Sequence, residues 1–226
     1  MRIPAIAACV VAALVAGGCA KWPDTGGGAD GLRLTFTLKV GAEIDPNYVY
    51  IVAVNPSTDE TPVVQGPIPV IAPPWGNGFV SGTSTHFVLY DGFQSPPIQV
   101  YRFNNPNLLE YFAIGVPANE DPVLPESRQI RFEIELSQIA GGSLPEDLKS
   151  IQINFLTMNV VPQGAGGDKV WDALGDGNLP SQINDYVTIP LRTGIYNNAS
   201  FQFREPNNDC IVPALDIVDW QVEIRN

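Results

Sequence analysis

Histidine occurs once, methionine twice and cysteine three times in the 226 residues of this chain. With His86 as the only imidazole, any histidine-based nucleophile activation or metal centre would have to be built on that one residue. Basic residues are also scarce, 12 Lys and Arg against 24 Asp and Glu, a net charge of −12. Phosphate backbones and anionic lipid surfaces need clustered Lys and Arg, so nucleic acid is excluded as a partner and electrostatic adhesion to a bilayer is disfavoured. Metal cations, neutral glycans or plain solubility fit the charge. Long helices are missing too. No apolar pattern of helical period runs for ten residues, and 21 Gly and 21 Pro interrupt the chain throughout. No phosphate-cradling Gly loop, zinc spacing or nucleophile elbow is present. Hydrophobic residues make up 45% of the chain, too many for a disordered one.

What is present begins at the N-terminus. Met1-Arg2 carries positive charge, Ile3 to Ala16 is apolar, and Gly17-Gly18 lead into Cys19. This is the three-part layout of a secretory signal peptide, too short in its apolar run to span a membrane. It resembles a bacterial lipoprotein signal. That resemblance implies cleavage before Cys19 and a lipid on its thiol. Ala16 stands where Leu is commonest in such signals, so ordinary cleavage after a small residue is the competing reading. Two or three acyl chains, at about 0.8 kcal/mol per buried methylene, hold a domain firmly on a bilayer. Ala20, rather than Asp, follows the cysteine, which in bacteria with two membranes resembles lipoproteins sent to the outer one. The expected organisation is therefore a signal over 1–18, a lipid-anchored tether over 19–31 rich in Gly, and one β domain over 32–226. Losing residues 1–18 removes Cys9 and Arg2 and leaves 11 basic residues against 24 acidic. Cys210 is then alone, no disulfide within the mature chain is available, and the thiol reads as a small half-buried apolar residue.

The remainder alternates like strands. Leu32 to Val40 alternates without a break, with Leu32, Leu34, Phe36, Leu38 and Val40 on the core face. Tyr48 to Asn55 is apolar on both faces, as in a central strand covered on both sides. Thr61 to Gly82 carries Pro62, Pro67, Pro69, Pro73 and Pro74, which forbid a central strand. Strand patterns recur at His86 to Tyr90, Gln99 to Phe103, Glu110 to Gly115, Gln129 to Leu136, Ile151 to Met158, Tyr186 to Leu191, Ser200 to Phe203 and Leu215 to Ile224. About ten strands separated by turns predict an all-β fold, an antiparallel β-sandwich with long Gly/Pro-rich loops.

The Tyr-rich strand Tyr48-Val49-Tyr50-Ile51-Val52-Ala53, the run Ile130 to Ile139 and the strand Ile151-Gln152-Ile153-Asn154-Phe155 together are similar to the family-9-like carbohydrate-binding β-sandwiches and the related DOMON domains. The likeness covers about a third of the chain and implies a sandwich fold. That family's pair of sugar-stacking tryptophans has no clear counterpart here, and a lone His86 offers no Met/His pair for haem.

Three places could carry chemistry. Trp75 and Phe79, with Asn77 between them, resemble a sugar platform in which rings meet apolar faces and an amide meets hydroxyls; the plainer alternative is that Trp75 plugs the end of the sandwich. Asp172, Asp176 and Asn178 offer oxygen ligands for Ca²⁺, with a distant carboxylate such as Asp185, though the spacing is not that of an EF-hand and turn chemistry accounts for the same residues. Glu133 and Glu135 share a strand face, as paired carboxylates of glycosidases do, but Arg131 and the alternation mark a solvated outer face. His86 suits a structural hydrogen bond at a strand edge. The sequence therefore predicts an exported, membrane-anchored, non-enzymatic module facing the periplasm or cell surface. Its expected role is binding a glycan or another envelope ligand through the Trp75 loop. The alternative is a structural or assembly component acting through protein contacts, marked by an apolar patch or a free strand edge.

Overall fold

The computed structural model describes residues 31–159, 169–175, 185–201 and 205–226. The predicted signal, Cys19 and most of the tether lie outside these residues. Among the described residues there are fourteen strands, more than the ten expected because several are two to four residues long. The first sheet has the order β13 (Gly194–Asn197), β14 (Ile217–Arg225), β1 (Arg33–Val40), β9 (Gln129–Glu135) and β8 (Asn119–Glu120). The second has the order β11 (Trp171–Ala173), β10 (Ser150–Met158), β2 (Val49–Ser57), β5 (His86–Asp91), β6 (Ile98–Phe103) and β7 (Tyr111–Gly115), with β12 (Val187–Pro190) also on β10. A separate two-stranded ribbon joins β3 (Pro67–Pro69) to β4 (Val80–Gly82). Every pairing is antiparallel.

The alternation of β1 fixes the core. Leu34, Phe36 and Leu38 point inward beside Ile130, Phe132 and Ile134 of β9 and Trp220, Val222 and Ile224 of β14. They meet Val52, Val54, Ile151, Ile153 and Phe155 from the second sheet. Phe36 bridges the two layers, its ring 5.4 Å from Phe132 and 6.3 Å from Phe155. The outer face of the first sheet is solvated and carries ion pairs, including Arg33–Glu133 at 3.1 Å and Lys39–Asp219 at 2.9 Å. Such exposed pairs are each worth well under about 1 kcal/mol. Glu133 and Glu135 both face Arg33 here.

The second sheet is covered on both faces, which is why β2 is apolar throughout and buried from Val49 to Asn55. Its outer cover is the proline-rich stretch that the sequence marks as an interruption. Two polar side chains of β10 hold that cover down. Gln152 accepts from Asn55 (2.7 Å) and donates to the Val64 carbonyl (2.9 Å). Asn154 donates to the carbonyls of Pro67 (3.0 Å) and Asp185 (2.9 Å) and accepts from the Leu174 N–H (3.1 Å).

Several boundaries differ from the sequence pattern. Of the strand expected over Ser200 to Phe203, Gln202 and Phe203 lie outside the described residues; before it come β13 and, over Asn198–Ser200, a 3₁₀ turn capped by the Asn197 side chain. Asn at that position accepts the Ser200 N–H and stops the strand. Strand β9 ends at Glu135 because Leu136–Ile139 turns into one helical turn (α1), closed by the reciprocal Glu135–Gln138 capping box.

Candidate functional site

Two regions gather chemistry. The first lies at the β6–β7 edge of the second sheet. Phe87 of β5 is stacked on Tyr101 at 4.9 Å and met edge-on by Tyr111 at 5.1 Å, with Phe79 and Phe103 beside it. Phe79 is therefore half-buried in an aromatic cluster rather than displayed. Asn77 is fully engaged: its Oδ1 accepts the N–H groups of Phe79 and Val80 (both 2.8 Å), and its Nδ2 donates to the carbonyls of Val80 (2.6 Å) and Leu108 (2.7 Å). An amide has two donor hydrogens and two acceptor lone pairs, so none is left for a sugar hydroxyl. Gly76 and Gly78 both take positive φ, which lets the chain wrap round that amide. Trp75 is half-buried. The Lys169 ammonium sits 5.8 Å from its ring centroid and donates to the carbonyls of Val70 and Gly78. Burial pushes the Lys169 amine down to about 8. One face of the Trp75 ring is thus occupied by the protein itself, which is nearer the plug than the platform.

Strand β7 is different. It pairs only with β6 among the described residues, and all five of its residues are exposed. Tyr111 leans on the aromatic cluster, so by alternation Phe112 projects from the other face, while the register shift at Val100/Tyr101 leaves Ile114 as an extra residue opposite β6. Leu109, Phe112, Ile114 and Val116 are 57%, 46%, 39% and 47% exposed. A free edge presents the N–H and C=O groups of alternate residues, and here apolar side chains flank them. The sequence shows the strand but not its position, because edge status follows from topology.

The second region lies where β11 meets the lead-in to β14. Asp172 is fully buried; its Oδ1 accepts the Ala173 N–H (2.9 Å) and its Oδ2 the Ile217 N–H (2.6 Å). Asp209 and Asp216 join it, with one oxygen of each of the three carboxyls within 4.8 Å of the others. Asp216 accepts the N–H groups of Cys210 (3.2 Å) and Asn208 (3.1 Å). Glu205 accepts the Gly175 N–H (2.9 Å) on Oε2. Of the predicted oxygen-ligand set, Asp172 is found here, while Asp176 and Asn178 lie outside the described residues. Asp185 lies against Gly175 rather than within the group of three. Asp209 and Asp216 carry no sequence signal of their own; the Asp172–Ile217 bond brings them to Asp172. Cys210 is more buried than expected, its Sγ 3.6 Å from the Trp171 carbonyl, and burial pushes its thiol up to about 11.

Burial raises the Asp172 carboxyl to about 8, against its two backbone donors. Glu205 is raised to about 11, first by burial and then by the neighbouring Asp172 and Asp209 charges. His86, buried in β5 with Nδ1 2.8 Å from Thr85 Oγ1, is lowered to about 4 by burial and then by Arg102. These shifts set opposite slopes. A carboxyl raised in the fold holds its proton more tightly there, so stability falls as pH rises from about 4 to about 8 for Asp172. A histidine lowered in the fold stabilises fully above about 6.5 and loses that contribution as pH drops towards 4. Between 6.5 and 8 the carboxyl slope stands without the histidine one. In chelator, the urea midpoint is expected to fall across that window through Asp172 and Glu205 together, and Asp172→Asn to make the fall shallower, leaving the Glu205 share. A flat wild-type profile would show that Asp172 is ionised in the fold.

Compared with known proteins, the chain matches no family model, no curated protein and no solved structure.

The cleft beside His86, about 380 Å³, is lined by Ser84, Thr85, Arg102, Asn104 and neighbouring Gly and Pro residues, with no carboxylate among them.

Proposed function

We propose that this chain is an exported, lipid-anchored, non-catalytic β-sandwich that binds a protein partner of the cell envelope by strand addition at β7. The carrying observation is the exposed strand β7, which pairs only with β6 among the described residues and carries the exposed Phe112 and Ile114. Edge strands of stable proteins are usually blunted by Lys, Pro, a bulge or a covering segment; Tyr111–Gly115 has neither Lys nor Pro, and its one irregularity is the register shift at Ile114. Backbone bonds would supply register, and pockets for alternate side chains would supply specificity. A net charge of −12 opposes pairing of two copies of the chain, so the occupant is a different protein. The Trp75 loop gives a glycan less support, since Asn77 is spent and Lys169 covers the ring. The lipid on Cys19 and the Gly-rich tether would keep the edge at the membrane surface and free to turn.

The test is photo-crosslinking in the producing cell from a benzophenone side chain at position 112 or 114, with position 144 as control. Leu144 is 59% exposed in another part of the chain. A discrete heteromeric adduct at 112 and 114, absent at 144, is expected. Ile114→Lys is expected to weaken partner capture at least tenfold while moving stability by only about 0.5 kcal/mol, as exposed substitutions do. Adducts of equal yield from all three positions, or only a homodimer, would overturn the reading.

A further inference from the structure

The inner stripe of the second sheet changes character at one end. On β5 it runs Tyr90, Val88, His86 and on β6 Ile98, Val100, Arg102, each residue directly opposite its partner on the other strand. The first two pairs are packed into the core between the sheets. The third pair, His86 with Arg102, lines the cleft of about 380 Å³ instead. Residues 140–143, which follow α1, form the facing wall; a Cβ on Gly141 would stand 3.7 Å from His86 Cε1. The next residue in the row is Phe112 of β7, opposite Arg102 and 46% exposed.

Three polar groups here are left without partners. His86 is 1% exposed, and its Nδ1 lies 2.8 Å from Thr85 Oγ1, closer than the 3.5 Å from that hydroxyl to the Val54 carbonyl. The hydroxyl therefore donates to Nδ1, and the ring proton sits on Nε2. Among the described residues, nothing accepts from Nε2. Asn105 Oδ1, in the cleft lining, is buried with no hydrogen-bond partner. Among the described residues, every other arginine is in an ion pair or, for Arg128, donates to the Gly41 carbonyl. Arg102 does neither, in a chain with 24 acidic residues against 12 basic. Two donors and one acceptor thus surround a space large enough for a monosaccharide.

We propose that this cleft binds a sugar acid, with its carboxylate on the Arg102 guanidinium and its hydroxyls on His86 Nε2 and Asn105 Oδ1. A planar guanidinium takes a carboxylate through two parallel hydrogen bonds. A hydroxyl both accepts and donates, so one kind of group satisfies Nε2–H and Oδ1 alike. Thr83, Asn104 and Ser143 add further hydroxyl and amide groups to the lining, and no carboxylate there repels the ligand. Phe112, beside Arg102 in the register, supplies an apolar ring of the kind on which a pyranose lays its C–H face. A peptide carboxyl terminus shares the carboxylate but not the hydroxyls that this lining matches. The cleft is built from β5, β6 and residues 140–143, so the proposal stands whether or not the edge of β7 takes a partner.

The experiment is calorimetric titration of the purified full-length chain in detergent with galacturonate and glucuronate. Galactose and glucose serve as neutral counterparts, and the dipeptide Ala-Ala as a carboxylate without hydroxyls. At least one uronate is expected to bind with a dissociation constant below about 1 mM. Its neutral counterpart is expected to bind at least about tenfold more weakly, as loss of a charged hydrogen-bonding group requires. Arg102→Gln is expected to weaken the uronate by a similar factor of about ten or more. The side chain is exposed, so the melting temperature should stay within about 2 °C of the wild type. Arg102→Lys is expected to recover only part of the affinity, because an ammonium lacks the fork. No uronate binding at about 10 mM would overturn the proposal. So would a neutral sugar or Ala-Ala binding as tightly as the better uronate, or an unchanged affinity in Arg102→Gln.

Discussion

Phe36→Ala is expected to cost about 3–5 kcal/mol, a large part of the stability of a domain of this size. Phe36 is fully buried, lies in the middle of β1, and touches both layers through Phe132 and Phe155. Truncation removes the transfer free energy of the ring and leaves a cavity that β-strands hydrogen-bonded on both sides cannot collapse to fill. For a domain of this length each kcal/mol is about 2–4 °C, so melting should fall by about 6–20 °C. Urea unfolding measures the loss directly, with Phe93→Ala as the matched control. Phe93 is 75% exposed, and its truncation is expected to change stability by only about 0.5 kcal/mol. A loss below about 1 kcal/mol at Phe36 would mean that the two sheets are not packed through it.

Asn154→Ala is expected to act differently, on the cover more than on the core. The side chain serves three backbone groups, the carbonyls of Pro67 and Asp185 and the N–H of Leu174. Each group left buried without a partner costs about 1–3 kcal/mol, so a total near 3 kcal/mol or more follows if the cover stays in place. The protein can lower that cost by lifting the cover into water. Limited proteolysis should then cut between Thr61 and Trp75 much faster in the variant, at urea concentrations below the global transition. Asn154→Asp should do the same, because a carboxylate facing two carbonyls has no hydrogen to give them. Unchanged cleavage in both variants would show that the prolines alone hold the cover.

Asn154 also shows what a sequence conceals. In Ile151-Gln152-Ile153-Asn154-Phe155 the alternation of apolar and polar residues gives the strand correctly, and by the ordinary rule Gln152 and Asn154 belong on a wet face. They are fully buried instead, because a segment some 90 residues earlier in the chain lies across them. Alternation reports polarity, and polarity can be satisfied by backbone carbonyls as well as by water. Strand β2 shows the opposite case: its lack of alternation announces cover on both sides, and the sheet has it. The Trp75 loop was legible as a loop, but not the use of Asn77, whose four hydrogen bonds are local geometry without a pattern. The acidic group was half legible. Asp172 stood out in a Gly- and Asp-rich stretch, whereas Asp209 and Asp216 join it only through the pairing of distant segments. The edge position of β7 was not legible at all, since a strand's neighbours are set by topology.

The place of β1 has a consequence for how the chain comes together. The first strand of the domain lies between β9 and β14, and its last pairings are made with Ile217–Arg225; the Lys39–Asp219 contact spans 180 residues. A chain delivered from its N-terminus therefore holds β1 with one flank open until nearly every other residue has arrived. Loop closure over that distance makes such pairing slow. The first sheet is thus completed after delivery, not during it, and the nine residues of β14 act as the latch. A chain stopped short of Ile217 would keep an apolar strand unpaired in the middle of its sheet, and cells would handle it as an aggregation hazard rather than as a shortened protein.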